Sequence, residues 1–216
     1  MPVARDVPLS AQQHIVLHDI PWRVYKTLLS AVGDRPVRIT YYRGSIEIMS
    51  PLPRHEKWKT RIGRMIELLS LELRLPVEAL GSTTFRRRAK KAGLEPDECY
   101  YVQNAAAVKG KDRINLKLDP PPDLAVEVDI TRRSLKRQPV YAALGVPELW
   151  RWDGKRLTVL VLVDGRYEPR EQSLAFPFLP MDRFQQFLQR IREGAEDLTV
   201  LADFQQWVRT LKPLNN

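Results

Sequence analysis

Apolar residues along the chain follow two different periods. A spacing of three and four positions predicts amphipathic helices, which cover residues 21–32, 55–73, 183–192 and 198–211. Runs rich in β-branched and aromatic residues predict strands, which cover residues 37–41, 45–49, 82–87, 97–102, 123–130, 148–153 and 157–163. A further helix is predicted within residues 131–144, and Pro139, which suits a first turn, places its start near Gln138. The chain is therefore of the α/β (α+β) class, with an N-terminal helix and a β-hairpin turning at Arg43-Gly44.

The 216 residues suffice for about one domain with one substantial core. Residues 1–19 lack firm periodicity and are expected to form an N-terminal arm. Residues 20–192 form the predicted domain, and residues 193–216 a helical extension packed on it. No apolar run approaches the ~20 residues that span a bilayer, and the N-terminus lacks the apolar stretch of a secretory signal. We therefore expect a cytoplasmic protein that does not enter a membrane.

Positive charge is in excess and unevenly distributed. The net charge is +9, and the densest block consists of Arg86, Arg87, Arg88, Lys90 and Lys91. Such a block favours a polyanionic partner, because each cation that meets a phosphate releases counterions. Nucleic acid, DNA above all, is the expected partner, although a basic protein that is simply well solvated remains an alternative.

Few soft metal ligands are available. The single cysteine, Cys99, excludes an internal disulfide and Cys-based zinc sites, and the three histidines are scattered. A metal site would have to use oxygen ligands, which suits Mg²⁺ or Mn²⁺. There is no Gly-rich phosphate loop, so we expect no nucleotide cofactor.

Carboxylates occupy one face of a strand that is otherwise apolar. Alternation over residues 123–130 places Asp123, Ala125, Glu127 and Asp129 on the same face. Neighbours on that face lie about 6.6 Å apart, so Glu127 and Asp129 can flank one ion, while Asp123 lies about 13 Å from Glu127. If the strand that begins at Asp97 pairs antiparallel with this one, Asp97 falls near Glu127 and Asp129.

Two interpretations of this acidic patch remain open. In the first, a divalent ion neutralises the carboxylates and activates water, with Lys136 or Arg137 orienting that water or stabilising charge. In the second, Glu127 and Asp129 pair with Arg132, Arg133 or other surface cations. The polar side of the helix over residues 55–73 is expected to be mostly solvated, although His55, Glu56 or Glu67 can reach a site there.

Three segments together carry a family resemblance. They are Glu95-Pro96-Asp97, the run Asp123-Leu124-Ala125-Val126-Glu127-Val128, and Gly145-Val146-Pro147-Glu148-Leu149-Trp150 preceded by Tyr141-Ala142-Ala143. In this order they resemble the Uma2 family, over roughly residues 20–190.

The resemblance implies a restriction-endonuclease-like fold with a PD-(D/E)xK core, in which helices flank a mixed sheet, and Mg²⁺-dependent endonuclease activity. It assigns Asp97 as the first metal-binding acid, Glu127 as the acid of the second half, and Asp123 as a further aspartate of the pattern. The lysine of the larger superfamily is expected two residues after Glu127, where this chain has Asp129.

A family lysine four residues before Tyr141 would correspond to Arg137, with Lys136 beside it. Arginine does not readily give up a proton, so Arg137 can stabilise charge but cannot act as a base.

Three hypotheses for function follow. The first is a Mg²⁺-dependent endonuclease that hydrolyses phosphodiester bonds of DNA. The second is a degenerate nuclease fold that binds nucleic acid without cutting it. The third is a structural protein or a homodimer, with Trp150 and Trp152 in its interface; core packing explains these two residues at least as well.

Overall fold

A computed structural model gives the structure of the chain and describes residues 14–33, 35, 37–130 and 135–211. The helices are α1 (Trp22–Val32), α2 (Pro53–Leu73), α3 (Ala105–Val108), α4 (Gln138–Leu144), α5 (Met181–Arg192) and α6 (Asp197–Val208). The strands are β1 (His14–Leu17), β2 (Arg38–Tyr42), β3 (Ser45–Met49), β4 (Glu78–Ala79), β5 (Phe85–Arg87), β6 (Ala92–Leu94), β7 (Glu98–Tyr101), β8 (Leu124–Val128), β9 (Glu148–Trp152), β10 (Leu157–Val163) and β11 (Arg166–Arg170). None of the described helices combines the length and the apolarity that crossing a bilayer requires.

The larger sheet has the strand order β11-β10-β9-β8-β7-β4. Its strands pair antiparallel except β8 and β9, which are parallel. Parallel neighbours need a crossover connection, and the segment containing α4 supplies it. This sheet confirms the mixed sheet and the α+β class expected from the sequence.

The smaller sheet is antiparallel, in the order β1-β3-β2-β6-β5. Its β2–β3 hairpin turns at Arg43 and Gly44, whose φ angles of 48° and 95° are those of the two-residue turns that match strand twist. Strand β1 pairs with β3. Residues 14–17, within the stretch expected to be an arm, are therefore part of a sheet.

Helices cover both faces of the larger sheet. Helices α2, α5 and α6 pack on one face, where Trp150 and Trp152 are fully buried. The hypothesis that these two side chains form an interface is therefore wrong, because the chain's own core encloses them. Helix α6 contributes Val200, Phe204 and Val208 to this core.

Helix α4 covers the other face, together with β5 and β6 of the smaller sheet. It begins at Gln138, as Pro139 indicated, and ends at Leu144, where Gly145 caps it. The first part of the helix predicted over residues 131–144 includes 131–134, which lie outside the described residues. The Ala125 and Glu127 side of β8 faces α4, and the Val126 and Val128 side faces the opposite core.

A third apolar cluster joins α1 to the smaller sheet. Tyr25 is fully buried there and stacks on Tyr41 with ring centroids 4.9 Å apart. Its ring lies against Gly93 of β6, where an added Cβ atom would overlap the Tyr25 hydroxyl. The strand therefore approaches α1 at a point where only glycine fits.

Candidate active site

Strand register brings the two principal acids together. Strands β7 and β8 pair antiparallel, with Glu98 opposite Val126 and Cys99 opposite Ala125. This is the arrangement under which the sequence places Asp97 near Glu127. Extending this register by one residue places Asp97 opposite Glu127. Residues opposite each other in an antiparallel pair share a face, with Cβ atoms about 5 Å apart.

Asp97 is fully buried and its carboxylate is held by donors from three elements. Arg38 of β2 donates to Oδ1, and the Val128 amide of β8 donates to Oδ2 at 2.7 Å. His55 in the first turn of α2 places Nε2 3.0 Å from Oδ2. The carboxylate therefore joins the smaller sheet, α2 and the larger sheet at one point.

His55 and Glu56 extend this cluster. The Glu56 carboxylate accepts a hydrogen bond from Arg38 at 3.0 Å and lies 3.4 Å from Nδ1 of His55. Burial lowers the pKa of His55, but hydrogen bonds to Asp97 and Glu56 outweigh burial and raise that pKa to about 8. His55 is therefore mainly protonated near pH 7. The hydrogen bond to His55 and the charge of Arg38 lower the pKa of Glu56 to about 2.

Glu127 is 6% exposed and is also held by donors. The hydroxyl of Tyr141 donates to Oε1, and a guanidinium nitrogen of Arg137 lies 3.2 Å from the same oxygen. Burial and the charge of Glu127 raise the pKa of Tyr141 well above its usual value, so Tyr141 keeps its proton. Arg137 also donates to the backbone oxygen of Glu95, which ties α4 to the segment before β7.

Two more carboxylates approach this region. Glu47 of β3 is 2% exposed, and the Leu135 amide donates to it at 3.3 Å. Glu95 accepts a hydrogen bond from Thr84 at 2.8 Å, and burial raises its pKa. The acidic patch therefore draws on the smaller sheet as well as on β7 and β8.

A cavity of about 1030 Å³ opens beside Glu127. It lies between α4 and the strands β8 to β11, and Asp129 and Lys136 line it together with Glu127 and Arg137. The site is thus next to the carboxyl ends of the two parallel strands, where open sheets commonly bind ligands.

The structure does not bring every predicted residue to this site. Asp123 lies at the other end of β8, where its carboxylate accepts hydrogen bonds from the Val102 and Asn104 amides at 2.7 and 2.9 Å. It fixes the turn after β7 and is not near Glu127, as the 13 Å spacing indicated. Lys136 is exposed on the cavity wall, whereas Arg137 makes the contact with Glu127.

The basic block lies at the edge of the smaller sheet. Arg86, Arg88, Lys90 and Lys91 are exposed, whereas Arg87 is half-buried and donates to the Leu116 oxygen at 3.2 Å. Arg87 also lies beside Gly145 at the end of α4. The cavity is at the start of α4, a helix of seven residues and hence about 10 Å long.

The donor chemistry of the site suits a hard divalent ion. Within the described ranges no three Asp, Glu, His or Cys side chains are grouped to hold a metal. Mg²⁺, however, is commonly held by one or two carboxylates and the substrate's phosphate, and Asp97 and Glu127 supply two. Glu127 reaches the cavity, whereas Asp97 would have to release one of its present donors.

Sequence reasoning did not identify Arg38 or Glu47. Both lie in strands of ordinary alternating pattern, and Arg38 is 59 residues from Asp97. The one available signal is that Arg38, Thr40 and Glu47 place polar groups on the same face of a hairpin whose other face is apolar.

The fold and this site define a restriction-endonuclease-like protein: an α+β chain with a mixed sheet and paired acids at the ends of its central strands. The model of the Uma2 family, described as "Putative restriction endonuclease", matches residues 24–190. The chain belongs to the Uma2 family. No curated protein matches the chain.

Proposed function

We propose that this protein is a Mg²⁺-dependent endonuclease that hydrolyses phosphodiester bonds of DNA. The observation that carries the proposal is the register of β7 and β8, whose extension places the buried Asp97 opposite Glu127, and Glu127 lines the cavity. Membership of a family with a nuclease-like description supports the same chemistry. Mn²⁺ is the expected substitute, since it accepts the same oxygen ligands.

Asp97 and Glu127 would hold the ion, with Asp129 as a further carboxylate on the cavity wall. When bound, a divalent ion would supply a water of lowered pKa and would stabilise charge on a phosphoryl group. Arg137 holds Glu127 in place and offers positive charge, but it does not accept a proton. Lys136, exposed in the cavity, is the amine available to orient water or to move a proton.

A second function, binding of nucleic acid without cleavage, has one specific observation in its favour. Arg38 and His55 already neutralise Asp97, and Arg137 neutralises Glu127. A site whose carboxylates are paired with the protein's own cations has less need of a metal. The two functions differ in whether DNA is cut when it is bound.

Nicking of supercoiled plasmid in Mg²⁺ or Mn²⁺, against EDTA, tests cleavage. We expect Glu127→Gln to reduce the rate at least about 100-fold, the size of effect found when one group that stabilises a transition state is removed. Lys136→Gln should reduce the rate less, and Arg156→Gln, which alters an exposed cation outside the cavity, should leave it unchanged.

Thermal unfolding of each variant separates loss of chemistry from loss of fold. Wild-type protein that binds DNA yet never cuts it in either metal would establish the second function. Cleavage that survives Glu127→Gln in a folded protein would show that the nuclease site lies elsewhere.

A further inference from the structure

The cavity beside Glu127 has more positive charge than its own carboxylates neutralise. Among the described residues that line it, four side chains are cationic and two are acidic. Arg137 is engaged by Glu127. Within the described part of the chain, the side chains of Lys136, Arg151 and Arg166 form no hydrogen bond or ion pair.

Arg151 occupies the central position in this wall. It lies on β9 directly beside Glu127 in the parallel register, with the two strands about 4.8 Å apart. The residue is half-buried, and its Nε atom is enclosed without a hydrogen-bond partner in the described structure. An enclosed donor left unpaired is unfavourable, so the position suits an acceptor that arrives with a ligand.

Lys136 and Arg166 reach the same cavity from two other directions. Lys136 precedes α4, and Arg166 begins β11 at the far side of the sheet. Both are exposed, so they contribute charge at the mouth of the cavity, while Arg151 lies deeper. Cations from β9, β11 and the segment before α4 therefore line one space.

We propose that Arg151 and Arg166 form a subsite for a phosphate of the nucleic-acid backbone, next to the phosphate that reacts at Glu127. This subsite rests on the proposed function, since it would hold a second backbone phosphate of the DNA that the enzyme cleaves. The guanidinium fork of Arg151 matches two phosphate oxygens. The apolar side chains of Leu149 and Leu160 line the same wall as Arg151, so its guanidinium lies among few competing acceptors other than Glu127 and Asp129.

Anisotropy of a short fluorescein-labelled DNA duplex, titrated in EDTA over a series of salt concentrations, tests the subsite without cleavage. We expect Arg151→Gln to weaken binding about tenfold, as for loss of a charge-assisted hydrogen bond. The slope of log affinity against log salt is negative, and the substitution should reduce its magnitude by about 0.9. Arg151→Lys keeps the charge without the fork and should fall between wild type and Arg151→Gln.

Arg156→Gln is the matched control, since it removes an exposed cation of the same β9–β10 hairpin that does not line this cavity. Equal loss of affinity in Arg151→Gln and Arg156→Gln would overturn the subsite, because net charge alone would then matter. Unchanged binding in a folded Arg151→Gln protein would overturn it as well.

A competition experiment distinguishes a site for a backbone phosphate of DNA from a site for free inorganic phosphate. Inorganic phosphate, compared with chloride at equal ionic strength, should displace the duplex only weakly from wild type, since a backbone phosphate is held by further contacts. Strong displacement that Arg151→Gln abolishes would overturn the backbone assignment in favour of a free phosphate site. Failure of the proposed function is distinguishable, because it abolishes plasmid cleavage while the binding difference between the two arginine variants persists.

Discussion

Asp97 has positive charge on two sides and no exposure to solvent. Transfer of a carboxylate to such a position is costly, and the contacts with Arg38, His55 and the Val128 amide offset that cost. Two of those donors are themselves buried cations. Removing the negative charge therefore affects Arg38 and His55 as much as Asp97 itself.

Asp97→Asn should lower the free energy of unfolding by about 3–5 kcal/mol, because it leaves buried cations without their main counter-charge. Urea denaturation followed by circular dichroism measures the change. Asp112→Asn, which alters an exposed aspartate in the connection after α3, is the control and should change stability by less than about 0.5 kcal/mol. A tolerated Asp97→Asn would mean that Glu56 alone balances both cations.

Stability should also fall at mildly alkaline pH. The pKa of His55 is raised from 6.5 to about 8 in the folded protein. The stabilisation that protonated His55 adds to the free energy of unfolding is therefore complete below pH 6.5 and is lost as the pH rises through about 8. The linked free energy is about 2 kcal/mol. Glu56, whose pKa is lowered to about 2, stays charged throughout this range.

Thermal melts across this pH range measure the effect, and His55→Gln should flatten the profile. A wild-type profile that rises with pH, or one that His55→Gln leaves unchanged, would contradict the assignment of the charge to His55.

At the scale of elements, the contact between α1 and β6 depends on one glycine. Gly93→Ala places a methyl group against the ring of Tyr25, which cannot retreat because it packs between Trp22 and Tyr41. We expect a reduction in stability of about 1–3 kcal/mol, typical of overpacking, measured by urea denaturation.

Tyr25→Phe is the matched comparison. The Tyr25 hydroxyl is buried without a hydrogen-bond partner in the described structure, so its removal should be neutral or slightly stabilising. Equal destabilisation by Gly93→Ala and Tyr25→Phe would show that the hydroxyl, rather than the space at Gly93, matters.

The elements with strong periodicity were predictable, and the short ones were not. The alternation in β8 identified both its faces, and the three-four spacing located α2. Strands β4 and β6 have two and three residues, too few to show a period, and they form because the neighbouring strands offer unpaired edges. Strand β11 escaped notice because its five residues include three charges and a proline.

At the scale of the whole molecule, the basic block touches the end of α4 through Arg87, whereas the cavity is lined by α4 residues from Gln138 to Ala142. The double variant Arg88→Gln with Lys90→Gln should weaken duplex binding. It should also reduce the magnitude of the slope of log affinity against log salt by up to about 0.9 for each phosphate that the protein no longer neutralises. Lys57→Gln with Arg64→Gln removes the same charge from exposed positions of α2 and should have a smaller effect. Equal effects in fluorescence anisotropy would mean that net charge, not the block, attracts DNA.

The assembly of the site was only partly accessible from the sequence. Asp97 and Glu127 could be placed together only on the condition that the two neighbouring strands pair antiparallel, since alternation gives the faces of each strand but not its partner. Arg38 reaches Asp97 through the packing of the smaller sheet against the larger one, and no local pattern specifies that contact. The charge state of His55 depends on the same packing.

Strand β11 forms one edge of the larger sheet and β4 the other. Four of the five β11 residues are exposed, three are charged, and Pro169 lacks an amide proton. Such an edge is a poor template for a strand from another molecule, and the two-residue β4 offers little more. The larger sheet is thereby protected against edge-to-edge aggregation, and any association of two copies should use helices or the smaller sheet instead.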